Sequence, residues 1–158
     1  MRFLWFGKKK PLKPVEITPP PAPQEVYAVS GYVCETNPEA GAKNTELSAQ
    51  LINSAILSIL SQANSPADIA AQEFFQERGA NILPISDYSF SGERGFSGRI
   101  LDGEIKRTVL IGPVEVIARV TTPLNRSLAN TIESNPGSFV VAIDGIAYAA
   151  FGITKELI

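Results

Sequence analysis

The stretch Phe90-Ser-Gly-Glu-Arg-Gly-Phe-Ser-Gly98 sets the organisation of this chain, because its three glycines and one cation separate two strand-like runs. The residues allow two interpretations. The stretch is either a hairpin whose turn needs glycine at positive φ, or a tight loop that binds a ligand. In such a loop the backbone N–H groups and Arg94 hold an anion, while Phe90 offers a flat apolar face to a planar ring.

Length and composition predict one domain with an appendage. The chain has 158 residues, of which 44% are hydrophobic, enough for a core. Its net charge of −2 provides no overall attraction for nucleic acid, so we expect no nucleic-acid partner. Because the chain has no histidine and one cysteine, Cys34, we expect no metal site, no histidine-based catalytic triad and no internal disulfide. We expect Cys34 to be a buried or half-buried side chain and not a nucleophile.

Residues 1–24 are predicted to form a tail and a linker that precede the domain of residues 25–158. Residues 1–10 place three aromatic side chains beside three consecutive lysines. Aromatic rings favour the lipid headgroup level and lysines favour anionic lipid, so a peripheral membrane contact is one interpretation and a disordered tail is the other. The proline-rich segment from Pro11 to Pro23 favours an extended spacer.

The first half of the domain is predicted to be a strand followed by a helical hairpin. Residues 25–34 are rich in β-branched and aromatic residues, which is typical of a strand. Apolar residues then recur at helical spacing to about Gln62, after a cap at Asn44 or Thr45. Ser65 is the predicted N-cap of a second helix that ends at Gly79, with Ile69, Ala70, Phe74 and Phe75 on its buried face.

The second half is predicted to be strands joined by tight turns. Asp102-Gly103 and Asp144-Gly145 are favoured two-residue hairpin turns. Between the two hairpins, Gly112-Pro113 opens a short helix, and residues 124–134 form another. The sequence therefore predicts an α+β fold, an antiparallel twisted sheet with a helical hairpin packed on it.

This order of elements resembles the nucleotide-binding (N) domain of P-type cation-transporting ATPases, over about residues 25 to 153. Residues 90–98 are similar to that family's phenylalanine-serine-serine run, which is followed by arginine-lysine, an aromatic residue, serine and a small residue. Residues 108–117 are similar to its aliphatic strand that ends in glycine, alanine, proline and glutamate. Residues 139–152 look like its last hairpin.

The resemblance implies ATP as the ligand and assigns a role to several residues. Phe90 matches the aromatic that stacks on adenine, Arg94 the cation near the phosphates, and Asp68 the acid that faces the adenine amino group. It also implies nucleotide contacts at Ser97, Gly98 and Gly112. The chain departs from the family at two cations, since Gly95 stands where a lysine usually follows the arginine and Ile111 where many members have lysine.

The same resemblance implies binding without catalysis. P-type ATPases use an Asp-Lys-Thr-Gly-Thr sequence and a Thr-Gly-Asp loop that holds magnesium, and neither occurs in this sequence. We therefore expect a stand-alone or degenerate N domain that binds nucleotide and does not hydrolyse it. It would be cytoplasmic and peripheral at the inner membrane face. The alternatives are an interaction or regulatory protein that keeps the fold without the ligand, or a fragment of an ion pump; the sequence identifies no protein partner.

Residues 1–10 are expected to bind anionic vesicles weakly and in a salt-sensitive way. Three lysines and Arg2 contribute about 1 kcal/mol each near an anionic surface, which supports only reversible binding. Sedimentation of the chain with vesicles that contain phosphatidylserine should fall sharply as salt is raised. A truncated chain that begins at Pro23 is the control, and equal sedimentation of the two would contradict a membrane role for the tail.

Overall fold

The computed structural model describes residues 25–38, 46–92, 95–119, 121, 124–135 and 137–157. The predicted tail and linker, the predicted caps Asn44 and Thr45, and the predicted cation Arg94 lie outside these residues. The described helices and strands are, in chain order, β1 (Glu25–Cys34), α1 (Ala49–Leu60), α2 (Pro66–Glu77), β2 (Ile85–Ser91), β3 (Gly95–Asp102), β4 (Ile105–Pro113), α3 (Val114–Ile117), α4 (Arg126–Ser134), β5 (Phe139–Ile143) and β6 (Ile146–Leu157).

The strands form one antiparallel sheet in the order β1-β6-β5-β4-β3-β2. The helical hairpin of α1 and α2 packs on one face of this sheet. These features confirm the predicted α+β fold. None of the helices in the described ranges is long and apolar enough to cross a membrane.

One of the two predicted hairpin turns lies where it was predicted, and the other is shifted by one residue. The β5–β6 turn lies at Asp144-Gly145 as predicted, with φ of 53° and 84°, the positive values that a type I′ turn requires. In the β3–β4 hairpin Asp102 pairs with Ile105, so the turn residues are Gly103 and Glu104 and not Asp102-Gly103. Gly103 has a φ of 63°, and this suits the first central position of a type II′ turn.

Arg107 explains why Asp102 stays in the strand. Its Nε donates to Asp102 Oδ2 at 3.1 Å, and its Nη1 donates to Asp144 Oδ2 at 3.1 Å. One guanidinium therefore ties the β3–β4 hairpin to the β5–β6 turn. Charge-assisted hydrogen bonds of this kind are stronger than neutral ones, so the carboxylate of Asp102 is more favourably placed here than at the tip of the turn.

The helical hairpin follows its capping signals. Ser65 caps α2, and the helix ends at Glu77, with Arg78 as its C-cap before Gly79, whose φ is 83°. In contrast, α1 begins at Ala49, later than predicted, because the Oγ of Ser48 accepts a hydrogen bond from the N–H of Leu51.

The predicted buried face of α2 is wrong at Ile69, which is 45% exposed. Ala71 and Phe75 are the buried residues of this helix, and they lie one turn apart. Ile69 is two positions before Ala71 and points to a different side of the helix. The hydrophobic character of Ile69 does not indicate which side of α2 faces the sheet.

The core has one part on each face of the sheet. On the first face Phe75, Ile56 and Ile59 of the helical hairpin pack with Ile111 and Phe151 of the sheet. On the second face, α3 and α4 cover the central strands, and the buried residues there are Ile117, Leu128, Val140, Ala142, Ala147 and Ala150. Strands β5 and β6 are thus buried on both faces, and this fixes the middle of the sheet.

Gly95 is required by a close approach of β3 to β4. It has a φ of 94°, and a Cβ placed there would lie 2.1 Å from the carbonyl oxygen of Ile111. Gly103 provides a matched comparison, because its φ is also positive, at 63°, and nothing lies within 4 Å of a Cβ there.

We expect Gly95→Ala to destabilise the protein far more than Gly103→Ala. Left-handed backbone alone costs an alanine about 1 to 2 kcal/mol, and a steric clash adds about 1 to 3 kcal/mol at position 95. Chemical denaturation of both variants measures the difference. Equal losses of unfolding free energy would contradict the close approach.

Candidate functional site

A cleft of about 810 Å³ lies between the sheet and the connection from α1 to α2. This volume falls in the range of small-molecule sites, roughly 300 to 1,000 Å³. The cleft is open because α1 ends at Leu60, and the strands beyond that point are not covered by the helix. It has three parts: an aromatic wall, a facing wall at the start of α2, and an apolar floor.

The aromatic wall consists of Tyr88 and Phe90 from β2 and Phe96 from β3. Phe90 and Phe96 pair directly across the hairpin, and their ring centroids lie 4.8 Å apart with planes tilted by 33°. The rings of Tyr88 and Phe96 lie 6.5 Å apart at 36°. Phe90 is 57% exposed, so most of its ring is available to a ligand, and it is not a core residue.

The facing wall is the connection between the helices together with the first turn of α2. Asp68 and Ser65 form a reciprocal cap there: the hydroxyl of Ser65 donates to Asp68 Oδ2 at 2.6 Å, and the N–H of Asp68 donates to Ser65 Oγ at 3.1 Å. The cap uses one carboxylate oxygen, and the other, Oδ1, is an acceptor. Burial raises the pKa of Tyr88, and the negative charge of Asp68 raises it further. The second effect is expected because the two groups face each other across the cleft.

The floor is apolar. It is formed by Ile111 of β4, Phe139 of β5 and Phe151 of β6, with Ile111 and Phe151 fully buried. Among the described residues that line the cleft, Asp68 is the sole ionisable group apart from tyrosines. The cleft therefore offers aromatic and apolar contact, one carboxylate and neutral polar groups.

The structure brings two of the predicted site residues, Phe90 and Asp68, to opposite walls of this cleft. The other described ones do not line it. Gly98 lies beneath α1, where a Cβ would come within 2.7 Å of Ile59 Cδ1. Gly112 is buried in β4, and Ser97 lines a separate groove beside Ile117 on the other face of the sheet.

Sequence reasoning missed two residues of the aromatic wall, Tyr88 and Phe96. A signal for both was present. Tyr88 and Phe90 are two residues apart on one strand and so share a face, and a hairpin at residues 91–95 places Phe96 opposite Phe90.

Cys34 has the environment of an inert thiol. It is half-buried, and burial raises its pKa above the usual range, which disfavours the thiolate. Within the described ranges no three histidine, cysteine or acidic side chains are grouped so as to hold a metal ion.

Solved structures of P-type ATPase N-domains share this fold. The N-domain of HMA6, a copper-transporting P-type ATPase, has a TM-score of 0.59 at 15% identity and covers 81% of this chain and 98% of its own. The N-domain of HMA8, also from a copper-transporting P-type ATPase, has a TM-score of 0.58 at 18% identity, with coverage of 80% and 99%. The sequence matches no protein-family model and no curated protein.

A larger structure shows the same likeness over part of its length. The catalytic domain of the CPx-ATPase CopB-B, whose conformational changes upon nucleotide binding have been described, has a TM-score of 0.55 at 16% identity. The match covers 84% of this chain and only 39% of the CopB-B domain. The resemblance suggested by the sequence is thus confirmed at the level of the fold.

We expect Phe90→Ala to lower the free energy of unfolding by no more than about 1 kcal/mol, since an exposed ring loses little burial on truncation. Phe75→Ala is the comparison, because Phe75 is fully buried and its loss should cost about 3 to 5 kcal/mol. Denaturant midpoints of the two variants test the distinction. A collapse of the midpoint for Phe90→Ala would show that its ring is structural.

Proposed function

We propose that this domain binds a nucleotide in the cleft, with the base stacked on Phe90, and that it does not hydrolyse the ligand. The observation that carries the proposal is the exposed ring of Phe90 opposite the capped carboxylate of Asp68, across a cleft of about 810 Å³. The fold shared with P-type ATPase N-domains, and the nucleotide binding described for CopB-B, support it.

Stacking provides the main attraction for the base. Contact with an aromatic side chain contributes about 1 to 3 kcal/mol per base. Phe96 supports the ring of Phe90 from the neighbouring strand, at a centroid distance of 4.8 Å, so this surface is formed before the ligand arrives. A surface that is already ordered avoids part of the entropic cost of binding.

Asp68 provides orientation. Its Oδ1 oxygen is an acceptor, and the exocyclic amino group of adenine is a donor. Because Ser65 holds the other oxygen at 2.6 Å, the carboxylate is fixed in position. The same geometry would disfavour a base with a carbonyl group at that place, since two acceptors would then face each other.

The residues of the chain support binding without hydrolysis. Phosphoryl transfer needs an acceptor or an activated water, and metal ions to neutralise charge. The sequence has neither the phosphorylated aspartate motif nor the magnesium loop of P-type ATPases. We also propose that residues 1–10 place the domain at the cytoplasmic side of a membrane, which the vesicle experiment above tests.

Titration with ATP and ADP, followed by NMR, is expected to shift resonances of residues around the cleft, including Asp68, Phe90, Gly92 and Gly95. Phe90→Ala should abolish these shifts, because the stacking surface is lost. Ile82→Ala is the control: Ile82 is 58% exposed, similar to Phe90, but does not line the cleft. An absence of shifts at millimolar nucleotide would refute the proposal and favour an interaction protein that keeps the fold without the ligand.

A further inference from the structure

The charge around the cleft does not suit a polyanionic ligand. Asp68, the one acid among the described lining residues, carries a negative charge, and the remaining lining side chains are neutral. Glu93 and Arg94, in the short gap between the lining residues Gly92 and Gly95, have opposite charges and lie outside the described residues. The sum of these charges offers a triphosphate no net attraction.

The start of α2 does not provide an anion site either. The N-terminus of a helix attracts phosphate because its first N–H groups have no partner within the helix. In α2 the carboxylate of Asp68 already stands at this end, and the N–H of Asp68 donates to Ser65 Oγ at 3.1 Å. The negative charge of Asp68 at this end would repel a phosphate, and Ser65 Oγ already accepts from one of the N–H groups.

None of the described residues that form the floor is a cation either. Ile111 is fully buried between strands and presents only apolar surface, as do Phe139 and Phe151. Position 95 has no room for a long side chain, because even a Cβ would lie 2.1 Å from the carbonyl oxygen of Ile111. Burial of a phosphate against such a floor is unfavourable, since charge without a partner is costly to remove from water.

We infer that the cleft recognises the nucleoside part of its ligand and gains nothing from the phosphates, because the described residues that line it include no cation. Its ligand class is the neutral purine nucleoside, whose planar base contacts the aromatic wall while any phosphates stay in solvent. Adenosine therefore binds at least as tightly as ATP. This inference rests on the proposed binding of nucleotides.

Calorimetric titration of the full chain with adenosine, AMP, ADP and ATP at low ionic strength tests the inference, with and without magnesium. The dissociation constant is expected to stay constant or to rise as phosphates are added. If ATP binds more than about threefold more tightly than adenosine, the inference fails while the proposed function stands. If neither adenosine nor ATP binds, both fail.

A cation added at the cleft tests whether the missing positive charge is the reason that phosphates do not contribute to binding. Ala67 lines the cleft in the first turn of α2 and is partly exposed, so a long side chain can extend from it into solvent. Ala67→Lys should raise the affinity for ATP about threefold to fivefold, the effect of one exposed charge pair, and leave adenosine binding unchanged. Ala67→Gln is the matched neutral control, and equal effects of Lys and Gln on ATP binding would overturn the inference.

Arg94→Ala addresses the cation in the gap between the lining residues Gly92 and Gly95. The inference predicts a change of less than about twofold in the affinity for ATP and none for adenosine. A large loss confined to the phosphorylated ligands would assign phosphate binding to Arg94 and would overturn the inference, without affecting the proposed nucleotide binding.

Discussion

The position of the cleft follows from the close packing of α1 on β3. Gly98 lies at this contact, where a Cβ would come within 2.7 Å of Ile59 Cδ1 and would force the end of that side chain to shift. The helix packs closely against the sheet, and Ile52, Ile56 and Ile59 are completely buried. It ends at Leu60, before the sheet does, and the uncovered surface beyond becomes the cleft.

Groups that stabilise the fold also shape the candidate site. Ser65 and Asp68 cap α2, and the same carboxylate is the one charged group among the described residues that line the cleft. The phenylalanines also serve either the core or the cleft. The ring centroids of Phe75 and Phe151 lie 5.6 Å apart in the core, whereas Phe90 is exposed beside Phe96. A substitution near the cleft therefore has to be judged by both unfolding free energy and binding.

The likeness to known N-domains shows how far fold and site chemistry can separate. The fold is shared at identities of only 15% and 18%, as expected because a core tolerates extensive substitution when volume and patterning are kept. The chemistry of a site depends instead on a few particular side chains. Here Gly95 and Ile111 stand where the resemblance predicts lysines, and the described cleft has an apolar floor with one acid on its wall.

Features that depend only on neighbouring residues could be predicted from the sequence. The bounds of β1, the cap at Ser65 and the turn at Asp144-Gly145 were predicted because backbone preference and capping act over a few positions. The role of Phe90 as an aromatic on the cleft was also proposed from its glycine-rich context and from resemblance. Phe90 lines the cleft, although its contact with a ligand remains a prediction.

The contacts between distant surfaces could not be predicted and became apparent in the folded chain. Strand β6 continues to Leu157 because β1 pairs with it there, although residues 154–156 are polar and exposed and gave no apolar signal. Likewise, Ile69 lies outside the core, and α3 and α4 cover the second face of the sheet. The positions of Tyr88 and Asp68 across one cleft depend on how a hairpin and a helix pack together. Such contacts join residues far apart in the chain, and their free energy depends on the fit of whole surfaces, which no short stretch of sequence encodes.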